Sequence, residues 1–311
     1  MVLIKLMISR INFFMTLKEK IVIGTWPLSG DLGAVNKDLV SKTIEACLDC
    51  GFYEFDMAPN YGNGFCEKYF GSLNNKNITI NTKFGNNIDG IKNFDVDSLK
   101  SSLYESLDRL NVENINSLFL HNPRNEISNY EPILFLFEEL KRENIINKSG
   151  ISLARNYDYG DVLKKFDSIQ NDYNILYQNS LDGMYRTKNM LFYARSPLAT
   201  GILSGKLNEQ SKFDSDDYRS KWLKGNRLQS ILKRVEILDK LTDFSLDSLA
   251  RKFVLNNNLI DKVIIGVKSP KHVYDIQNDI EQDPLDNNII KKINSLYFED
   301  FGLVDQRSLS F

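Results

Sequence analysis

Apolar positions along this 311-residue chain alternate between two rhythms. Short runs rich in β-branched and aromatic residues recur at 21–25, 53–57, 78–84, 115–121, 148–153, 168–171, 190–195 and 262–267. Runs of that length and makeup predict strands. Between them the period lengthens towards that of a helix. Leu99, Leu103, Leu107 and Leu110 follow one another at spacings of four, four and three, which puts them on one helix face across 97–110. The stretches 132–142, 227–241 and 245–256 read the same way, the last with Ser245 as its capping residue.

Strands separated by helices predict parallel pairing, because each crossover must return the chain to the same end of the sheet. The run at 115–120 is apolar at most positions, as expected of a parallel sheet covered by helices on its outside. Eight such repeats in a chain of this length favour a closed (β/α)8 TIM barrel over an open doubly wound sheet. One domain is expected over 1–311. Within it, the sixth helix must be short and drawn from about 175–187.

Composition narrows the class. Lys and Arg number 39 against 41 Asp and Glu, a net charge of −2, so no basic excess points to nucleic acid. The longest apolar run, Ile133-Leu-Phe-Leu-Phe137, is far short of the ~20 residues of a membrane span. Three Cys and two His are too few for a typical structural zinc site, and no metal is expected. Scattered Cys without a secretory signal indicate a reducing, cytoplasmic setting. Lys5 and Arg10 interrupt the apolar start of the chain, so residues 1–15 read as a leader outside the compact fold rather than a targeting segment. The tail, 298–311, is expected near the substrate pocket. Cys47 and Cys50, despite their redox-like spacing, and Cys66 read as small core residues. Gly62-Asn-Gly64 lacks the third glycine of a dinucleotide fingerprint, because Glu67 stands there.

The carboxyl ends of barrel strands carry the chemistry in such folds. Here strand two ends in Asp56 and leads to Tyr61, strand three ends near Lys83, and strand four ends in His121. Singly, each has a plain structural role: helix cap, rim packing, solvated charge, satisfied polar group. Four such groups on three consecutive strand ends are better explained by one shared task. A phenol, with a pKa near ~10, donates a proton poorly at neutral pH. A neighbouring Lys83 ammonium is expected to lower that pKa, and Asp56 to hold the ammonium in place. A neutral His121 would donate a hydrogen bond to a carbonyl oxygen and stabilise a developing alkoxide. Together they suit protonation of a carbonyl oxygen as hydride reaches its carbon.

The segment Gly51-Phe-Tyr-Glu-Phe-Asp56-Met-Ala-Pro-Asn-Tyr61-Gly62-Asn-Gly-Phe-Cys-Glu67, with Gly71 following, resembles the first signature of the aldo-keto reductase family. The resemblance covers nearly the whole chain. It implies Tyr61 as general acid, Lys83 and Asp56 as its tuning groups, and His121 as the group that orients a small-molecule carbonyl substrate. It also implies NADP(H). Ser196-Pro197-Leu198-Ala-Thr-Gly201-Ile-Leu203-Ser-Gly205-Lys206 is similar to the family's pyrophosphate-wrapping loop, and Ser152 and Gln170 match residues that hold the nicotinamide carboxamide. Gly266, Lys268, Ser269, His272 and Asp275 match the loop and helix start that grip the adenosine phosphate. Trp26, with Tyr61 and His121, is expected to line the substrate pocket.

Three positions depart from the family pattern. Leu153 stands where an Asn usually follows the Ser, Ile276 replaces a late Asn, and Arg195 occupies a position often held by an aromatic that stacks on nicotinamide. Arg can also stack through its planar face. Two other functions suit parts of the same pattern. One is a Schiff-base lyase using Lys83. The other is an NADPH-sensing regulatory subunit with little turnover. The pyrophosphate-type loop and Gln170 favour a reductase over the lyase.

Overall fold

The computed structural model describes residues 17–75, 77–181 and 190–303. The leader at 1–15, residues 182–187 of the expected sixth helix, and 304–311 of the tail lie outside the described residues. Eight strands form the barrel: β1 Ile21–Gly24, β2 Glu54–Asp56, β3 Thr79–Phe84, β4 Ile115–His121, β5 Ile146–Ser152, β6 Ser168–Asp172, β7 Leu191–Arg195 and β8 Lys262–Gly266. Every neighbouring pair is parallel, and β8 closes on β1 through the register Ile21↔Val263 to Gly24↔Gly266. The fold is a (β/α)8 TIM barrel.

Helices cover the outside: α1 Lys37–Asp49, α2 Phe65–Ser72, α3 Val96–Leu110, α4 Glu131–Arg142, α5 Gly225–Asp239, α6 Leu246–Leu255, α7 Pro270–Glu281 and α8 Asn287–Phe298. The leucine stripe of α3 is buried as its spacing predicts, and Asp95 caps the helix by accepting from the Ser98 N–H. Ser245 sits at the start of α6 without bonding its backbone; its hydroxyl bonds the Asp247 carboxylate at 2.7 Å instead. Crossover five differs from the helical expectation, and crossover six is described only as far as residue 181. Residues after β5 make a 3-10 turn at Gly160–Lys165, and those after β6 make a shorter one at Asn179–Leu181.

Two apolar layers hold the barrel. The larger lies between strands and helices, and the smaller fills the barrel interior with Val22, Phe119, Tyr193 and Ile264. Phe119 and Tyr193 meet edge to face, with ring centroids 5.4 Å apart. Burying one such ring contributes about 2–3 kcal/mol. Gly150 on β5 is what makes room, because a Cβ there would lie 2.3 Å from the Phe119 ring. With its interior plugged, the barrel leaves its open cavity at the carboxyl ends of the strands.

Among the described residues no helix is long and apolar enough to cross a membrane, and no cluster of His, Cys, Asp and Glu is grouped to hold a metal. Cys47 and Cys66 are buried, and burial pushes both thiols up to about 12, so they serve as core residues. Cys50, at the end of α1, is only partly buried.

Candidate active site

Strand register brings the four strand-end groups together. Asp56 pairs with Asn81 across β2 and β3, and Lys83 with Phe119 across β3 and β4, so the Lys83 chain rises beside the Asp56 carboxylate. Lys83 Nζ donates to Asp56 Oδ1 at 2.6 Å, to the Met57 carbonyl at 2.9 Å and to the Tyr61 hydroxyl at 3.4 Å. The loop after β2 delivers the phenol. Gly62, Asn63 and Gly64 all take positive φ, turning the chain sharply into α2. At Gly62 a Cβ would come within 2.8 Å of the Ser29 carbonyl oxygen, so this turn tolerates only glycine against the β1 loop. Tyr61 is thereby seated between Trp26 and His121, with ring centroids 6.3 and 6.2 Å away.

Electrostatics set the protonation states. Burial alone would lower the Lys83 pKa, but Asp56 and then Tyr61 outweigh it and hold the ammonium above its ordinary value. At Tyr61, by contrast, burial dominates: it raises the phenol despite the opposing pull of Lys83. This corrects the expectation of a phenol with a lowered pKa. In the resting site Lys83 moderates the effect of burial rather than reversing it, and Tyr61 keeps its proton at neutral pH. His121 is driven well below its usual range by burial, with Lys83, Arg195 and Lys92 adding repulsion. It is therefore a neutral imidazole, and its Nδ1 is buried without a hydrogen-bond partner.

Gln170 lies under this group rather than apart from it. Its Nε2 donates to Asp56 Oδ2 at 2.5 Å, while its Oε1 is buried without a partner. The Ser152 hydroxyl accepts from Arg195 Nη1 at 3.0 Å and donates to Asn122 Oδ1 at 3.4 Å. Arg195 also donates to Asn122 Oδ1 at 3.0 Å and to the Leu153 carbonyl at 2.5 Å. The guanidinium is thus held by three acceptors at the end of β7. Leu153 itself is buried in the core.

A cavity of about 1660 Å³ opens above these residues. Trp26, Tyr61, Lys83, Asp56, His121, Gln170 and Arg195 line one part of it. Ser196, Pro197, Leu198, Gly201, Lys206, Gly266, Lys268, His272 and Asp275 line the rest. Ser152, Leu203, Gly205 and Ser269 do not reach its surface. The loop after β7 is tightly curled, with positive φ at Ser196, Ala199, Thr200 and Gly201. Within that turn the Ala199 and Gly201 N–H groups donate to the Ser196 and Leu198 carbonyls, both at 2.9 Å.

At the far wall His272 Nδ1 accepts from the Lys268 N–H at 3.2 Å. Burial, then Lys206, lowers the His272 pKa, so the ring is neutral and its proton must sit on Nε2. Nε2 lies 3.5 Å from Lys206 Nζ, so in this tautomer two donors face each other. Lys268 Nζ is occupied by the Leu32 and Gly33 carbonyls at 2.9 and 3.0 Å, and Asp275 pairs with Lys271 at 2.8 Å.

Several site residues escape the linear reading. Asp172 ends β6 one residue beyond the expected strand and ion-pairs with both Arg195 and Arg155. Asn122, adjacent to His121, bridges Arg195 and Ser152. Tyr218, more than 150 residues from Trp26 in sequence, packs on it edge to face at 5.5 Å. The only linear signal for Asp172 and Asn122 is their place at strand ends.

The aldo/keto reductase family model matches residues 20–297. Rat aflatoxin B1 aldehyde reductase member 2 is 24% identical over 90% of this chain and 85% of its own. Aldo-keto reductase YhdN of Bacillus subtilis is 25% identical, covering 81% of this chain and 82% of its own. Among solved structures, glycerol dehydrogenase AKR11B4 from Gluconobacter oxydans superposes with a TM-score of 0.78 at 22% identity, covering 94% of each chain. The holo form of aldo-keto reductase AKR11C1 from Bacillus halodurans gives 0.73 at 23% identity, covering 89% of this chain and 91% of its own. A closed barrel, an acid–base group at its carboxyl ends and a family match over almost the full length agree: the chain belongs to the aldo/keto reductase family, whose members are oxidoreductases.

Proposed function

We propose that this protein reduces an aldehyde or ketone, keto-sugars among them, to an alcohol at the expense of NADPH in the cytoplasm, with Tyr61 as the proton donor. The observation that carries the reading is the Lys83 ammonium, held between Asp56 and the Tyr61 hydroxyl on the floor of the cavity. NADPH, when bound, supplies hydride. The unpartnered Gln170 Oε1 suits a carboxamide N–H, and the facing donors of Lys206 and His272 suit a phosphate.

Neutral His121 orients the substrate carbonyl oxygen towards Tyr61. As charge builds on that oxygen, the phenol proton moves to it, and the Lys83 ammonium stabilises the phenolate left behind. A phenol that keeps its proton at rest is the competent form for this direction. The same charge state argues against a Schiff-base lyase, because a Lys held as ammonium by Asp56 is a poor nucleophile.

Titration with NADPH and NADH, followed by protein fluorescence, tests the cofactor. Saturable, NADPH-preferring binding with carbonyl-dependent NADPH oxidation is the expected outcome. Failure to bind either nucleotide, together with borohydride trapping of a carbonyl compound on Lys83, would overturn the reading. Tight binding without turnover on any carbonyl would leave a nucleotide-sensing subunit.

A further inference from the structure

Asp56 has two carboxylate oxygens, and each is committed. Oδ1 accepts from Lys83 at 2.6 Å, and Oδ2 accepts from Gln170 Nε2 at 2.5 Å. Both partners are buried. The Gln170 backbone is itself locked, paired with Ser152 on one side and Tyr193 on the other, and its carbonyl accepts from the Leu153 N–H at 2.8 Å. The amide is therefore a fixed strut from β6 across to β2. Without it, the carboxylate would be free to rotate about its last torsion, and Lys83 would lose the direction that aims it at Tyr61.

We infer that Gln170 is a positioning residue of the proton-donating group. It acts through Asp56 to hold Lys83 beneath the phenol, in addition to any contact its Oε1 makes with a bound ligand. Because hydrogen bonds in series polarise one another, a donor arriving at Oε1 strengthens the Nε2 bond to Asp56. One side chain thus links occupancy of the cavity to the setting of the proton donor. This inference rests on the carbonyl-reductase reading for its effect on turnover, and on geometry alone for the Gln170–Asp56 bond.

The test is a double-mutant cycle. Gln170→Met keeps the length of the side chain and removes both amide groups. Asp56→Asn leaves a single acceptor oxygen, which serves Lys83 or Gln170 and not both. At saturating NADPH, Gln170→Met should lower kcat about tenfold or more, the usual effect of losing a hydrogen bond to a charged group. In the Asp56→Asn background the same change should lower kcat by less than about twofold. An equal loss in both backgrounds would mean that Gln170 acts on the cofactor alone, and would overturn the inference. Gln170→Leu, which also lacks the donor, gives the same test if the Met variant does not fold.

Urea unfolding of the ligand-free proteins provides a readout without turnover. The two substitutions should be non-additive, and strict additivity would overturn the inference even if no carbonyl substrate is ever found. Non-additive unfolding in a protein without carbonyl reductase activity would sink the proposed function and leave the strut standing.

Discussion

Arg195, at the end of β7, and Asp172, at the end of β6, are register partners, with Arg195 Nε 3.3 Å from Asp172 Oδ1. Arg155 pairs with the other oxygen of the same carboxylate. Burial alone would raise the Asp172 pKa, but Arg195 and then Arg155 pull it down to about 2. The pairing matters because Arg195 in turn holds Asn122, Ser152 and the Leu153 carbonyl, the residues flanking His121 and the end of β5. Asp172→Asn should cost about 2 kcal/mol at neutral pH. The folded value is depressed, so the contribution is complete above an ordinary Asp pKa and fades as pH falls towards about 2. Urea unfolding of both proteins across that range measures it, and a pH-independent difference would contradict the assignment.

Tyr61→Phe removes the hydroxyl that Lys83 reaches and leaves the ring between Trp26 and His121. Loss of a general acid should lower kcat about 10²–10⁴-fold. NADPH binding should change little. Stopped-flow reduction of a good aldehyde substrate, alongside a binding titration, separates the two effects.

His121 predicts a pH dependence of stability with the opposite chemistry but the same sign. Its imidazole is held neutral in the fold by burial and the nearby cations, whereas in the unfolded chain it protonates near ~6.5. Between those values the unfolded state binds the extra proton, so stability falls as pH drops below ~6.5. In His121→Gln this component should be absent. Thermal unfolding of both proteins at successive pH values checks the difference; parallel curves would show that His121 titrates normally.

Gly71 in α2 faces the end of α3 at a distance that admits no side chain. A Cβ there would lie 2.2 Å from the Arg109 carbonyl oxygen and 2.8 Å from the Leu110 carbonyl carbon. Both obstacles are backbone, so the helices must separate. Gly71→Ala should destabilise the protein by about 1–3 kcal/mol. Its helix carries buried Glu67, which bonds Thr82 at 2.7 Å and Arg109 at 2.8 Å, so activity should also fall if β3 shifts and moves Lys83.

The barrel and the four strand-end groups were legible in the sequence because both follow from local patterns. Strand and helix periods are written in neighbouring residues, and a strand end identifies which side chains reach the carboxyl face. The family resemblance is carried by the same contiguous segments. Strand edges are less legible: the β-rich run ends at residue 171, and in the fold β6 extends one residue further to Asp172.

What only the tertiary structure decided is how donors and acceptors were shared. Ser152 and Arg195 are 43 residues apart, and nothing local to either announces that the serine hydroxyl accepts from the guanidinium. Gln170 and Asp56 are 114 residues apart, and nothing local to either announces their bond. The direction of the Tyr61 shift was equally hidden, because it is the difference between burial, which depends on the whole surround, and attraction to one Lys. Periodicity and strand-end identity are properties of adjacent residues, so the sequence alone determines them. Hydrogen-bond partners and protonation states depend on which distant groups compete for the same buried space, so they exist only once the barrel has closed.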